Sequence, residues 1–192
     1  MKMDLGACCA VTVTYGRRAP YVEKVVEAAI GAGAASVVLV DNGSPDKNRP
    51  ALNTLAEKFH GRVILHRLEE NLGSAGGFKA GIEEAINSGN CRFLWLLDDD
   101  NVPAEDALSE LKHAFSSLAQ HVSTDRLAVS ALRSDLAIHR RLAAGGAVGD
   151  VYKWPSSFMG FHLVKTLKRI LRGTAAPASA GQNLVNIPYG PY

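Results

Sequence analysis

Several marks of common protein classes are missing from this sequence of 192 residues. No apolar stretch approaches the roughly 18 residues needed to cross a bilayer, and residues 1–6 are too polar for a secretory signal. There is no G-x-x-x-x-G-K-[ST] phosphate loop, no H-E-x-x-H pair and no G-x-S-x-G elbow. The turn after the first apolar run reads TYGRRAP and lacks the G-x-G-x-x-G dinucleotide fingerprint. These absences exclude the nucleotide-binding and hydrolytic classes that depend on those motifs.

Cysteine is scarce. Cys8, Cys9 and Cys91 form no C-x-x-C pair, and the first two are adjacent inside an apolar run. This pattern predicts buried, reduced thiols and a reducing compartment. We expect a cytoplasmic protein, with a peripheral position at the inner face of the membrane as an open alternative.

Positive and negative charges nearly balance over the whole chain. Lys and Arg number 21 and Asp and Glu 19, for a net charge of +2, which argues against a disordered chain and against a nucleic-acid partner. The distribution is uneven, however, because residues 133–172 hold eight basic residues and two acidic ones, a local +6.

Apolar runs alternate with segments of helical spacing along most of the chain, and 47% of the residues are hydrophobic. This alternation predicts βα units and a mostly parallel sheet in an α/β fold. Strands are predicted at residues 8–14, 36–41, 62–67, 92–98 and 127–132. Because open α/β sheets bind ligands at the carboxyl ends of their strands, the candidate site residues lie there.

An acidic triplet, Asp98–Asp99–Asp100, ends the fourth predicted strand, whose apolar run RFLWLL predicts a buried strand. Three crowded carboxylates repel one another unless a cation or a set of donors compensates them. Asp98 and Asp100 point the same way if the segment is extended, and their oxygens suit Mg²⁺ or Mn²⁺. The alternative is that one Asp caps the helix near Pro103 and the others are solvated.

Two further strand ends carry candidate ligands with open alternatives. Asp41 follows the second strand, where it either contacts a nucleotide or caps the turn. The small-residue loop at residues 71–77 either brings its backbone close to a phosphate or allows tight packing of a helix on the sheet. Lys79, one turn into that helix, either reaches a phosphate or is solvated.

Four segments together resemble glycosyltransferases of family 2 with a GT-A fold. They read VTVTYGRR, VVLVDNGS, ENLGSAGGFKAGI and FLWLLDDDNVP, in that order, within residues 8–132. Each is weak alone, whereas four in register are specific. The most similar branch contains bacterial rhamnosyl- and galactofuranosyltransferases. The resemblance implies a GT-A (Rossmann-like) fold, in which helices flank a mostly parallel sheet built from alternating βα units.

The resemblance also implies an activity: a metal-dependent, inverting transfer of a sugar from a nucleotide diphosphate sugar to a hydroxyl group. UDP is the preferred nucleotide, dTDP is the alternative, and the cofactor is Mn²⁺ or Mg²⁺. The implied acceptor is a saccharide or a lipid-linked saccharide in the synthesis of cell-wall polysaccharide or glycolipid.

On the base side of the implied donor site, the resemblance places Thr14, Tyr15 and Arg17 along the base and the phosphate. Asp41 is expected to hydrogen-bond the base.

On the sugar side, three residues are implied to shape the wall near the sugar and the diphosphate: Asn71, Gly73 and Gly77. Asp98 and Asp100 are implied to bind the diphosphate, largely through the metal, and Asp99 is included in the nucleotide-sugar site.

The sequence further predicts two regions, a nucleotide-sugar-binding core at residues 1–132 and a basic acceptor-side segment at residues 133–192. A flexible linker is predicted at residues 173–181, and residues 161–172 have the spacing of a basic amphipathic helix. That helix either lies on a membrane surface or packs on the sheet with a solvated face. Family members usually continue further and carry an acidic general base there, so we expect truncation on the acceptor side and a general base beyond Tyr192.

Other functions stay open at this stage. A donor-binding chain without turnover would share the same motifs. The segment LLDDDNV also fits the first motif of haloacid dehalogenase phosphatases, although three βα units precede it. A nucleotidyltransferase would need a different phosphate loop after the first strand.

Overall fold

A computed structural model describes residues 6–59, 61–89, 91–131 and 137–146. The chain divides into two compact units, residues 1–129 and 130–192. The helix predicted at residues 161–172, the linker at residues 173–181 and the rest of the chain past residue 146 lie outside the described residues.

Four parallel strands form the sheet of the first unit. They are β1 (Cys8–Thr14), β2 (Ser36–Asn42), β3 (Val63–Leu68) and β4 (Phe93–Asp98), in the order β3-β2-β1-β4. In register, Thr14 of β1 pairs with Asp41 of β2, and Val13 pairs with Asp98 of β4. The polar ends of these strands therefore meet at one edge of the sheet, as the sequence predicts.

Helices follow each strand and confirm the alternating α/β class. They are α1 (Ala19–Gly31), α2 (Arg49–Lys58), α3 (Gly73–Asn87) and α4 (Ala107–Leu118), and the second unit holds a short α5 (Ala137–Ala143). Proline in the first turn of α1 and of α2 suits a helix start. Proline has no backbone N–H, and in the first turn of a helix that group has no partner within the helix. No helix among the described residues is both long and apolar enough to cross a membrane.

Alternation along the strands gives the sheet two apolar faces. One face packs Ala10 and Leu39 with apolar side chains of α1, α2 and α4. The other packs Val11 and Val40 under α3. Because β1 is covered on both faces, all of its residues except the half-buried Val13 are buried, as expected for a central parallel strand.

Helix α3 lies unusually close to the sheet, because two glycines face it. A Cβ on Gly81 would lie 2.5 Å from Cγ1 of Val11 and 2.8 Å from Cγ2 of Val40. A Cβ on Gly77 would lie 2.5 Å from Cγ1 of Val13. Close packing of helix on sheet, one of the two alternatives for the loop at residues 71–77, therefore explains Gly77, and Gly81 packs on the sheet in the same way.

The prediction of reduced thiols is wrong for two cysteines. Cys9 and Cys91 form a disulfide with their Cα atoms 5.5 Å apart, and Cys8 is buried and free. Adjacent residues of a strand point to opposite faces of the sheet, so the side chains of Cys8 and Cys9 lie on different faces. Only Cys9 is on the face where it contacts Cys91, in the segment before β4. Burial raises the pKa of the Cys8 thiol. The predicted reducing compartment loses its basis in the cysteines.

Two strand predictions also need correction. β4 lies at the edge of the described sheet, and its Leu94 and Leu96 are 36% and 50% exposed, so it is not buried on both faces. The fifth strand predicted at residues 127–132 is not found in its described part, residues 127–131. Leu127 has an extended backbone, but the segment has no place in the sheet.

Candidate functional site

A cavity of about 350 Å³ opens at the carboxyl ends of β1, β2 and β4, beside the start of α3. Carboxylates lie on its β4 side and amide and hydroxyl groups on its α3 side. It is lined by Val13, Thr14, Tyr15, Arg18, Asn42, Asn71, Gly73, Ser74, Phe78, Asp98 and Asp99. Six of the predicted site residues are among these, so the strand-end argument locates the cavity well.

The three side chains of the acidic triplet differ in exposure to solvent. Asp98 is the last residue of β4, and it is exposed and lines the cavity. Asp99 is only 8% exposed and accepts a hydrogen bond from Oγ1 of Thr14 at 2.8 Å. The side chain of Asp100 is 57% exposed. The three carboxylates therefore have different chemistry, with a buried one between two that solvent reaches.

Arg18 supplies the positive charge that the triplet needs. Its Nε and Nη2 donate to the two oxygens of Asp99 at 2.7 and 2.8 Å, and Nη2 also donates to Asp100 at 2.8 Å. The hydrogen bonds to Asp99 and then Asp100 raise the pKa of Arg18 further above its already high value. A bidentate pair of this kind is among the stronger charged contacts in proteins.

The position of Arg18 follows from the start of α1. Its carbonyl oxygen accepts the N–H groups of Tyr21 at 2.9 Å and Val22 at 3.1 Å. Its guanidinium carbon lies 5.6 Å from the centre of the Tyr21 ring, within cation–π range. Backbone and side chain are thus both held, so the guanidinium is aimed at the triplet.

Asn42 holds the loop that leads into α3. Its Nδ2 donates to Oδ1 of Asn71 at 3.1 Å and to the carbonyl oxygen of Gly73 at 3.0 Å. Its Oδ1 accepts the N–H of Leu72 at 3.0 Å. Gly73 has a φ of +72°, a conformation that favours glycine. One nearly buried amide therefore fixes the loop wall of the cavity from three directions.

Asp41 lies behind the cavity and not in its lining. Its carboxylate is fully buried, accepting from Nε of Arg67 at 3.1 Å and from the N–H of Ser44 at 3.0 Å. Oγ of Ser44 in turn accepts the N–H of Gly16 at 2.9 Å. Asp41 is therefore linked through Ser44 to the turn after β1, which the cavity residues Thr14 and Tyr15 begin.

Besides Asp41 and Asp100, three more predicted site residues lie outside the cavity lining. Arg17 is exposed beside Arg18. Gly77 is buried against Val13. Lys79 is exposed, with its Nζ 3.8 Å from a carboxylate oxygen of Glu83 one turn along the helix, which matches the solvated alternative.

Sequence reasoning missed Arg18, Asn42 and Ser44. A helix that begins right after Arg18 could have indicated that this residue, and not Arg17, turns toward the strand ends. Strand alternation places Asn42 on the face of Val40, toward α3, which would have distinguished it from Asp41. Ser44 belongs to the turn signal NGS, but its bond to Gly16 depends on contacts distant in sequence.

Two of these carboxylates could hold a divalent cation. Asp98 faces the cavity, and the exposed carboxylate of Asp100 has oxygens that solvent reaches. Among the described residues no group of three or more His, Cys, Asp or Glu side chains could hold a metal ion. The donor set therefore fits a magnesium-like ion that takes a few protein oxygens and completes its shell with substrate phosphate, and it does not fit a cage made of protein alone.

A family model described as "Glycosyl transferase family 2" matches residues 9–176. The chain belongs to this family. The match includes the four strands apart from Cys8, and every residue of the cavity lining, so the cavity lies in the family's domain. Membership also excludes the haloacid dehalogenase alternative. No curated protein matches the sequence significantly.

Solved structures are similar to part of the chain. A mannosyltransferase, PcManGT from Pyrobaculum calidifontis in complex with GDP-Man and Mn²⁺, is 24% identical with a TM-score of 0.45 over 58% of this chain and 32% of its own. S. aureus TarS 1–349 in complex with UDP is 18% identical with a TM-score of 0.44 over 68% and 40%. The chain thus spans less than half the length of these structures.

Proposed function

We propose that the chain is the donor-binding part of an inverting glycosyltransferase that uses a nucleotide diphosphate sugar, with UDP preferred and dTDP as the alternative. The observation that supports this most is the cavity itself. It lies at the carboxyl edge of a parallel sheet in a family 2 domain, with carboxylates on one wall and amides on the other. With a divalent cation between the carboxylates and the phosphates, that combination suits a ligand with a diphosphate at one end and hydroxyl groups at the other.

In an inverting transfer, the acceptor oxygen bonds to the anomeric carbon of the sugar as the bond from that carbon to the diphosphate oxygen breaks on the opposite face. Negative charge then develops on the departing diphosphate. A divalent cation held by Asp98 and Asp100 would stabilise this charge. The chain itself contributes Arg18, whose guanidinium lines the cavity at the same wall.

The base-side roles rest on the resemblance, and one feature of the structure supports them. Thr14 and Tyr15 line the cavity, which suits contact with the donor. Asp41 has a buried carboxylate already bonded to Arg67 and Ser44, so an effect of Asp41 on the base would pass through Ser44 and the Gly16 turn. Asp41 as the base-reading residue stays a prediction.

The finer assignments belong to the same proposal. The rhamnosyl- and galactofuranosyltransferase branch, the cell-wall or lipid-linked acceptor and peripheral membrane contact through residues 161–172 stay predictions. So does the general base expected beyond Tyr192. The chemistry required of that base is removal of the proton from the acceptor hydroxyl as its oxygen attacks.

Calorimetric titration tests the proposal. The full chain is titrated with UDP, dTDP and GDP, each with and without Mn²⁺, alongside Asp100→Ala and the control Glu105→Ala, which removes an equal charge from an exposed position nearby. We expect UDP to bind most tightly with Mn²⁺, Asp100→Ala to lose the Mn²⁺ effect and Glu105→Ala to keep it. Equal binding of all three nucleotides, or an unchanged Mn²⁺ effect in Asp100→Ala, would contradict the assignment. Donor binding without transfer to any acceptor would favour the non-catalytic alternative.

A further inference from the structure

Arg18 occupies the position relative to the acidic triplet that a bound cation would be expected to take. It contacts both oxygens of Asp99 and one oxygen of Asp100, at 2.7 to 2.8 Å. The two contacts differ in setting, because the Asp99 pair is partly buried and the Asp100 bond is exposed to solvent. The Asp99 contact is therefore the more permanent one, and the Asp100 contact can exchange.

We propose that Arg18 is an internal counter-cation for the donor site, which neutralises Asp99 permanently and competes with the divalent cation for Asp100. In the free protein Arg18 acts through the two carboxylates, and the diphosphate is expected to become its direct partner once the donor binds. The inference deepens the proposed function and rests on it for the nature of the ligand.

Charge accounts for the competition. Asp100 cannot donate its full negative charge to a metal while a guanidinium shares it, and the guanidinium repels a second cation at the same wall. An incoming diphosphate changes this balance, because its anionic oxygens offer Arg18 another partner and offer the metal additional ligands. The free protein is therefore expected to bind Mn²⁺ weakly, and the metal and the diphosphate are expected to strengthen each other's binding.

The contacts that hold Arg18 on the side away from the triplet favour a small movement of its guanidinium over a large one. Its backbone carbonyl is bonded at the start of α1, and Tyr21 lies under the guanidinium. With Asp99 retained, release of Asp100 requires only the loss of one hydrogen bond from Nη2. The exchange therefore needs no rearrangement of β4 or α1.

Titration of the full chain with Mn²⁺ alone, followed by the paramagnetic resonance signal of free Mn²⁺, measures the competition without any nucleotide. Arg18→Gln keeps a hydrogen-bond donor near Asp99 and removes the charge, so it is expected to bind Mn²⁺ about tenfold more tightly than the unmodified chain. Arg18→Lys keeps the charge and is expected to stay within about threefold. The control Lys24→Ala removes one positive charge from an exposed position on the same helix and is expected to change nothing.

A second titration adds inorganic pyrophosphate. Mn²⁺ binding by the protein is taken as the loss of free Mn²⁺ beyond that in a protein-free titration, because pyrophosphate itself binds Mn²⁺. Pyrophosphate is expected to strengthen this binding more in the unmodified chain than in Arg18→Gln, because only the unmodified chain has a guanidinium to redirect. Unchanged or weaker Mn²⁺ binding by Arg18→Gln would overturn the inference, as would an equal tightening by Lys24→Ala. If circular dichroism shows that Arg18→Gln does not fold, Arg18→Lys is the deciding variant. A Mn²⁺ affinity tenfold or more above that of the unmodified chain would overturn the role of charge. A Mn²⁺ affinity near that of the unmodified chain, together with stronger Mn²⁺ binding in the presence of pyrophosphate, would support it. Failure of UDP to bind the unmodified chain is a separate result that contradicts the proposed function.

Discussion

The ends of β2 and β4 carry the same chemical pair in two different settings. At the end of β2, Asp41 is fully buried and bonded to Arg67 and Ser44. At the end of β4, Asp99 is bonded to Arg18 and Thr14, with exposed carboxylates on both sides of it. The β2 pair is closed to solvent on the carboxylate side, and the β4 pair lines a cavity.

This difference separates a structural ion pair from one that can take part in binding. A buried carboxylate with two partners is costly to disturb and exchanges poorly with a ligand. Exposed carboxylates contribute little to stability and remain available. Substitution of Asp41 should therefore mainly lower stability, whereas substitution of Asp100 should mainly weaken ligand binding.

The largest effect on stability is expected at Asp41. Replacement by Ala leaves the guanidinium of Arg67 and the N–H of Ser44 without their buried acceptor. We expect a loss of about 3 kcal/mol in the free energy of unfolding, measured by urea denaturation. Asp46→Ala, at an exposed position with one surface ion pair, is the control and should cost less than about 1 kcal/mol. Equal losses for the two variants would remove the distinction between the strand ends.

Asn42 should come next, because its amide makes three hydrogen bonds to the loop before α3. Asn42→Asp keeps the shape but replaces a donor with an acceptor that faces Oδ1 of Asn71 and the carbonyl oxygen of Gly73. We expect about 2 kcal/mol of destabilisation and weaker UDP binding together. Asn53→Asp, at an exposed amide of α2, is the comparison. Unaltered nucleotide binding in a folded Asn42→Asp variant would show that the loop is not part of the site.

Packing of α3 offers a third test of what is structural. Gly81→Ala places a methyl group against Val11 and Val40, and overpacking of this kind costs about 1–3 kcal/mol. Gly31→Ala is the matched control, because a Cβ there meets nothing within 4 Å. Thermal unfolding should show a clear loss for the first variant and none for the second. A stable Gly81→Ala would mean that α3 can move away from the sheet.

The smallest effect on stability is expected at Asp100. Its single ion pair with Arg18 is exposed, so Asp100→Ala should change the free energy of unfolding by less than about 1 kcal/mol. The same variant should lose the effect of Mn²⁺ on UDP binding. A large loss of stability with unchanged metal-dependent UDP binding would contradict this prediction. It would show that the ion pair at the end of β4 is structural, like that of Asp41.

Much of this arrangement could be predicted from the sequence, because the strongest signals are local. Apolar β-branched runs located β1 and β2, and the polar residues after them located the edge of the cavity. The identity of the counter-charge could not be predicted in the same way. Arg17 and Arg18 are adjacent, and only the start of α1 decides which of them reaches Asp99, 81 residues away.

Side-chain direction was the second limit. A strand end with two polar residues presents one to each face, so Asp41 and Asn42 have different neighbours although they are adjacent. The sequence predicted Asp41 as a site residue, and the structure places Asn42 in the cavity lining. The pairing of Cys9 with Cys91 could not be seen either, since it depends on where the segment before β4 lies against β1.

The disulfide has a consequence for how the chain finds its fold. The contact between Thr14 and Asp99 joins residues 85 positions apart, which is a long loop for an unfolded chain to close. With Cys9 and Cys91 already bonded, the same contact closes a path of only about a dozen residues, which lowers the entropic cost of closure by about 1.7 kcal/mol on logarithmic loop scaling. In the oxidised chain, the contact between Thr14 and Asp99 is therefore almost local along the covalent path. Once the disulfide exists, this contact should form soon after β1 pairs with β4.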